Sequence, residues 1–351
     1  MPLPITKAIC DPMKWSFAIP GDPATPTGGY VYDARVVEAS GGAFCALRLP
    51  DAFPNPNEDD LATTSRLLSE AGPAVIDGLA YGALPAEMIR ALPHQPVALC
   101  HHPLGLETGH SPETAARLIT NEREALSLAR HVIVTSDATK RILLNDFGLP
   151  DRGVTVAVPG IDRAPPATGG HPPTLLTVAS LTRRKGHDVL IRALAKITHL
   201  EWRAIWVGPD DRDAEWAGHI RKMIADANLN NRIEIRGSVS AEDLAKTYEA
   251  ADIFVLPSRY EGYGMVFDEA MMRALPIVAC ATGAVPDVVP SGAGMLAPPD
   301  DPAALALWIK MFLVNRQRRA AMGGHARNHA LTLPGWDDTW ETIKRVLEGK
   351  K

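Results

Sequence analysis

No run in this 351-residue chain reaches the roughly 18 consecutive apolar residues that a bilayer-spanning helix needs. The N-terminus also lacks the charged-then-apolar order of a secretory signal. On sequence alone the expected location is therefore the cytoplasm. Cysteine is scarce: Cys10, Cys45, Cys100 and Cys280 are scattered, with no Cys-x-x-Cys spacing. They read as reduced, mostly buried small residues, and neither a disulfide nor a structural zinc is expected. Excess positive charge is missing too. A net charge of -5 gives no electrostatic reason to expect nucleic acid as a partner. Neither half of the chain has Gly-x-Gly-x-x-Gly after its first candidate strand, which argues against an ordinary nicotinamide-dependent dehydrogenase.

What is present is a regular alternation. The candidate strands Trp15–Ile19, Phe44–Leu47, Ala74–Asp77, Val97–Cys100, His131–Thr135 and Val154–Val158 form one series. The strands Leu175–Ala179, Arg203–Val207, Arg232–Arg236, Ile253–Leu256 and Ile277–Ala279 form a second. Amphipathic segments lie between them, such as Pro112–Leu128, Asp188–Lys196, Glu215–Ala227 and Ala241–Ala250. Strand–helix alternation of this kind predicts an α/β protein with parallel sheets covered on both faces. A single core rarely grows past about 250–300 residues, so two doubly wound domains are expected.

The boundaries follow from composition. Pro159 to Pro173 is dense in Pro, Gly and Thr and has no hydrophobic period, so it reads as a flexible connection. The expected division is residues 13–162, a linker over 163–173, a second domain over 174–334, and a last helix in 335–351. That helix carries Trp336, Trp340 and Ile343 on one face and could cap either domain. The first twelve residues carry no pattern. In doubly wound sheets ligands bind at the carboxyl ends of the strands, so the chemistry is expected on loops that follow strands and face a cleft.

Four such loops carry informative residues. The first holds Gly28-Gly29 at a helix entry, where backbone N–H groups and the helix dipole favour an anion; a tight turn is the plainer alternative. The second is Ser180-Leu181-Thr182-Arg183-Arg184-Lys185-Gly186-His187. Three successive cations beside the positive end of a helix are unfavourable unless an anion offsets them. The third runs from Pro257 to Met271 and contains Glu261-Gly262-Tyr263-Gly264-Met265-Val266-Phe267-Asp268-Glu269. Its glycines free the backbone for a phosphate, and its carboxylates suit sugar hydroxyls. The fourth is His101-His102-Pro103 at the end of a strand. Two histidines with no third ligand make a weak metal signal, and no metal is expected there. Asp77-Gly78-Leu79 and Glu107 sit near strand ends as candidate acceptor contacts.

Taken together, Glu261 to Glu269 resembles the Glu-x7-Glu motif of retaining GT-B glycosyltransferases, specifically glycosyltransferase family 4. Gly28-Gly29, His101-His102, Val158-Pro159-Gly160-Ile161-Asp162, Arg184-Lys185-Gly186 and Leu275-Pro276-Ile277-Val278-Ala279 agree in order and spacing. The resemblance covers nearly the whole chain and is more specific in the carboxyl half.

It implies a GT-B fold of two Rossmann-like domains. It also implies a UDP- or GDP-sugar donor as substrate, with no cofactor, and metal-independent transfer with retention of configuration. No Asp-x-Asp metal motif appears where the donor would bind. Among the residues, the resemblance gives Glu261 a contact to the donor sugar and Glu269 one to the ribose. It assigns the diphosphate to Lys185 and to the backbone of Gly28, Gly29, Gly264, Met265 and Val266, and sets the nucleobase near Gly237, Ser238 and Val239. One of His101 and His102 would stand beside the donor sugar. Where family members usually carry an Arg, this chain has Ser180, and Arg184 or Arg183 would take its place.

The acceptor (a glycan, a lipid-linked sugar or a small molecule) is left open, with membrane contact at most peripheral. Two other classes compete. One is an epimerase, hydrolase or phosphorylase on the same fold; the other is a non-catalytic sugar-nucleotide-binding protein.

Overall fold

The structure is a computed structural model that describes residues 14–22, 25, 27–107 and 109–349. The unpatterned N-terminal residues, Cys10, and Pro23, Ala24 and Pro26 of the first loop lie outside these. The described chain divides into two compact units, one of residues 1–160 with 334–351 and one of residues 161–333.

The first unit is built on the strands β1 (Trp15–Pro20), β2 (Phe44–Leu49), β3 (Ala74–Asp77), β4 (Val97–Cys100), β5 (His131–Val134) and β6 (Val154–Val156). They pair in the order β2-β1-β3-β4-β5-β6, every pair parallel. The intervening helices are α1 (Gly28–Ala39), α2 (Glu58–Glu70), α3 (Gly78–Tyr81), α4 (Ala86–Ala91), α5 (Pro112–Ser127) and α6 (Asp137–Asn145). The second unit contains β7 (Thr174–Val178), β8 (Arg203–Val207), β9 (Ile233–Ile235), β10 (Ile253–Leu256), β11 (Ile277–Cys280) and β12 (Gly294–Ala297). Its order is β12-β11-β10-β7-β8-β9, also all parallel. Its helices are α7 (His187–Leu194), α8 (Ala214–Asp226), α9 (Ala241–Glu249), α10 (Met265–Met272), α11 (Val285–Val288), α12 (Pro302–Val314) and α13 (Arg316–Ala330). The last helix, α14 (Trp336–Leu347), belongs to the first unit.

Central strands such as β4 (Val-Ala-Leu-Cys) and β10 (Ile-Phe-Val-Leu) are buried at every position, as expected where helices cover both faces of a sheet. Helix starts follow local chemistry. Ser111 accepts from Thr114 N ahead of Pro112 in the first turn of α5, and Asn57 with Asp60 forms a reciprocal capping box at α2. The α/β architecture read from the sequence is the one observed. Strand β12 was missed, because Gly294-Met-Leu-Ala is short and flanked by Gly and Pro. One cysteine reading also fails. Cys100 and Cys280 are free and buried, but Cys45 on β2 is disulfide-bonded.

The Pro- and Gly-rich stretch after β6 has no regular structure, yet it is not a free tether. Within the second unit Ala167 N bonds Arg273 O, and Thr168 N and Gly169 N both bond Glu249 O. Gly170 N and Thr174 N share Asp252 Oδ2, and Arg163 reaches Ala330 O. Composition suggested flexibility, but these backbone groups found partners.

In each sheet the strand order reverses at one place. In the second unit that place lies between β7 and β10, and in the first between β1 and β3. In doubly wound sheets ligand sites form at the carboxyl ends of the strands that flank such a reversal.

Candidate functional site

In the second unit the loops after β7 and β10 meet at the switch point. Residues Arg183–Lys185 form one 3-10 turn, and Gly186 follows in the left-handed region with φ 69° as the N-cap of α7. A Cβ at Gly186 would lie 2.1 Å from Pro257 O, so glycine is what allows the two loops to touch. Arg259 N donates to Arg184 O at 2.7 Å and fastens them further.

This contact brings Lys185, Arg184 and Glu261 together. Lys185 Nζ donates to Glu261 Oε1 at 2.6 Å, as does Ser258 Oγ at 2.6 Å. Arg184 Nη1 lies 3.3 Å from Glu261 Oε2 and donates to Tyr260 O at 2.9 Å. Burial alone would raise the Glu261 carboxyl, but Lys185 and Arg184 outweigh it and hold it below its ordinary value. Glu261 is therefore a buried, ionised carboxylate bridging two cations.

Arg183 turns elsewhere. Its guanidinium lies 4.6 Å above the Trp216 ring and 3.6 Å from Asp213. Of the two arginines weighed as replacements at Ser180, it is Arg184 that shares the Glu261 cluster.

The turn after β10 continues into α10. Gly264 is left-handed with φ 95° and caps the helix without a side chain. The first amides of α10, from Met265 and Val266, have no acceptor within the helix. Glu269, one turn in, accepts from Tyr248 Oη at 2.9 Å. Its carboxyl is raised first by burial, with Asp162 adding to the shift and Tyr248 and Arg273 opposing it. Ser238 is exposed on the loop after β9. Of the candidate residues, only Val239 lines a groove of about 460 Å³ beside β9 and α9, whose other walls include Arg203, Glu234, Arg236 and Lys246.

In the first unit Gly28 and Gly29 begin α1. Thr27 caps Tyr30 N through Oγ1 at 3.0 Å, and Thr27 O takes Val31 N. The Gly28 and Gly29 amides have no acceptor within α1 itself. A Cβ at Gly29 would stand 3.2 Å from His101 Cδ2, so the missing side chain also makes room for the imidazole. His101 Nε2 lies 3.2 Å from Asp33 Oδ1 and 3.3 Å from Asp77 Oδ2. His102 makes a separate pair with Glu107 at 3.2 Å, so of the candidate acceptor contacts Glu107 joins His102 and Asp77 joins His101.

The electrostatics of the Asp33–Asp77–His101 cluster are unusual. Burial and the neighbouring Asp77 push the Asp33 carboxyl up to about 7, with His101 opposing. Burial opposes charging of His101, yet its bonds to Asp33 and Asp77 carry the imidazole up to about 10. Among the described residues this is the one grouping of side chains whose donor atoms are close enough to share a cation, all within 4.8 Å of one another. The imidazole nitrogen lies between the two carboxylates.

Sequence reasoning missed three residues here. Asp33 is fully buried on the face of α1 that also buries Tyr32 and Val36; an acid at an apolar-period position was the signal available. Arg259 and Asp188 brace the basic loop. Arg259 donates to Asp188 at 3.1 and 2.9 Å and to Asp300 at 2.8 Å. No spacing rule links those positions.

Comparison with known proteins bears on the fold and on the second unit. Residues 161–329 match the family model described as Glycosyl transferases group 1, which covers nearly all of the second unit. The chain is 29% identical over 270 residues to D-inositol 3-phosphate glycosyltransferase of Kineococcus radiotolerans, covering 69% of this chain and 62% of that protein. It is 30% identical over 264 residues to the protein of the same name from Corynebacterium kroppenstedtii, covering 69% and 58%. It thus spans about three fifths of these curated relatives.

Among solved structures, sucrose-phosphate synthase from Thermosynechococcus elongatus superposes with a TM-score of 0.81 at 22% identity, covering 96% of this chain and 99% of the other. Anabaena HepE in complex with UDP-glucose gives 0.79 at 20% identity, covering 95% and 99%. The fold is the two-sheet GT-B fold of glycosyltransferases, and the second unit carries a glycosyl transferases group 1 domain.

Proposed function

We propose that this chain is a glycosyltransferase that moves a sugar from a nucleotide-diphosphate donor to an acceptor, without a metal and with retention at the anomeric carbon. The last two properties rest on the resemblance to family 4. The observation that carries the reading is the cluster of Lys185, Arg184 and Glu261 at the switch point of the second sheet. Breaking the anomeric C–O bond places negative charge on the departing diphosphate. Preorganised cations and amides stabilise that charge at no reorganisation cost during the reaction. Lys185, Arg184 and the first amides of α10 are such groups.

Glu261 has two roles in this reading. It keeps both cations in place before the donor arrives. A carboxylate offers about four lone-pair sites, and Lys185, Ser258 and Arg184 use three, which leaves one for a sugar hydroxyl. Glu269 is proposed for the ribose, with Tyr248 fixing its other face. Ser238 and Val239 are proposed beside the base. His101, His102, Gly28 and Gly29 are proposed as donor contacts on the strength of the resemblance.

Because the HepE structure holds UDP-glucose, UDP-sugars are the first donors to try, ahead of GDP-sugars. The names of the sequence relatives make an inositol phosphate the first acceptor to try. The test is turnover with a panel of nucleotide sugars and acceptors, comparing the wild type with Lys185→Ala and Glu261→Gln. Near wild-type rates in both variants would reject the assignment of this cluster.

A further inference from the structure

The environment of His101 settles more than its position. Among the described residues its Nε2 is the one ring nitrogen with protein partners, and both partners are carboxylates. Asp33 comes from α1 and is fully buried, and Asp77 comes from the end of β3 and is nearly so. Nδ1 makes no hydrogen bond within the described protein, and about a fifth of the side chain (22%) remains exposed.

The ring has little freedom to turn. Gly29 lies against its Cδ2 edge, and the Tyr32 ring meets it edge-on at 5.3 Å. Thr135 and Thr139 donate to His101 O, which holds the backbone. The other titratable groups around it are neutral: burial pushes the Tyr32 phenol and the Cys100 thiol well above their ordinary values. His102 faces Glu107 instead. Two buried carboxylates facing a neutral imidazole would leave the pocket with uncompensated negative charge. Asp33 Oδ2 is buried with no hydrogen-bond partner among the described residues, so the charged imidazole on Oδ1 is what compensates this carboxylate.

We propose that Asp33 and Asp77 are positioning residues that hold His101 doubly protonated, so that its Nδ1–H serves transfer as a fixed donor to a ligand oxygen rather than as a base. The acceptor of that bond is a phosphate oxygen or a sugar hydroxyl. The Gly28 and Gly29 amides at the start of α1 would add donors close by. This inference rests on the proposed glycosyl transfer for its functional part and on the first unit alone for its structural part.

The test uses the full chain labelled with 15N-histidine. His101 is assigned by its loss in His101→Gln, and its ring nitrogens are followed from pH 6 to 9. Both should remain protonated across the range in the wild type. In Asp33→Asn, a near-isosteric change, the ring should lose a proton inside it. The kcat/KM of that variant relative to wild type should then fall by about tenfold per pH unit above the new midpoint and recover on acidification, as one lost proton requires. Asp77→Asn, checked for folding by thermal melting, should behave alike.

A neutral wild-type His101 at pH 7.5, or an unchanged titration in both Asn variants, would overturn the proposal. So would a purely structural response, with activity lowered equally at every pH. If the nitrogens behave as expected but His101→Gln turns over at the wild-type rate, the functional part falls, while loss of all turnover in the wild type would instead reject the transferase reading.

Discussion

Lys185, Arg184 and Arg183 are adjacent in sequence but do different work. Lys185 and Arg184 converge on Glu261, while Arg183 stacks over Trp216 beside Asp213. Lys185→Ala is expected to lower kcat by about 10²- to 10³-fold, the usual loss when one preorganised donor to a developing anion is removed. Its melting temperature should fall as well, because the buried Glu261 carboxylate then keeps only Arg184 and Ser258. Arg183→Ala should retain close to wild-type turnover. Steady-state kinetics on the two variants check both statements, and an equal loss in both would make the cluster an undirected basic patch. At this scale the contiguous strings were legible. Glu261 to Glu269 and the basic triplet are local, and helix-entry chemistry gives each a meaning. The Asp33–Asp77–His101 cluster was not, because positions 33, 77 and 101 meet only through the β1-β3-β4 pairing of a parallel sheet.

Elements set the precision of these residues. The loop after β7 can reach the loop after β10 only because Gly186 has no side chain and a positive φ. Gly186→Ala should destabilise the second unit by about 1–3 kcal/mol, the cost of a strained position with a clash. It should also lower turnover with saturating donor, readable by denaturant melts and kinetics on the same preparation. The first unit has a comparable anchor in Glu122 on α5. Its Oε2 accepts from Leu104 N at 2.8 Å, which pins the turn following His101. Burial pushes its carboxyl up to about 8. A raised carboxyl binds its proton more tightly folded than unfolded. Its contribution is therefore complete below the unfolded value near 4.5 and lost as pH rises through about 8. Glu122→Gln should thus gain melting temperature relative to wild type between pH 6 and 9 and show no advantage at pH 4. A constant difference across that range would contradict the assignment. Sequence periodicity located α5, but nothing in it marked Glu122 as buried beneath a loop.

At the scale of the whole chain, strand–helix alternation was enough to anticipate two parallel doubly wound sheets. It could not settle which unit takes the last helix. In the structure Trp336 of α14 packs edge-on to Tyr32 at 5.8 Å under the Arg35 guanidinium, Trp340 meets Phe44 at 5.2 Å, and Thr339 donates to Val158 O. These contacts depend on α1, β2 and the segment after β6, all far away in sequence, so local pattern carried no signal for them. Trp336→Ala should lower the stability of the first unit by roughly 1–3 kcal/mol through lost packing. Hydrogen exchange should show it as lost protection in α1 and α14, with β7 and β10 unaffected. The central claim is that the second unit binds the diphosphate of a nucleotide sugar through Lys185 and its partners, and calorimetry tests it most directly. Titrating a UDP- and GDP-sugar panel into wild type and Lys185→Ala should give binding of at least one donor by the wild type and affinity weaker by about tenfold or more in the variant, since a charge-assisted bond is worth about 1.5–3 kcal/mol. Failure of every nucleotide sugar to bind, or equal affinity in the two proteins, would contradict it.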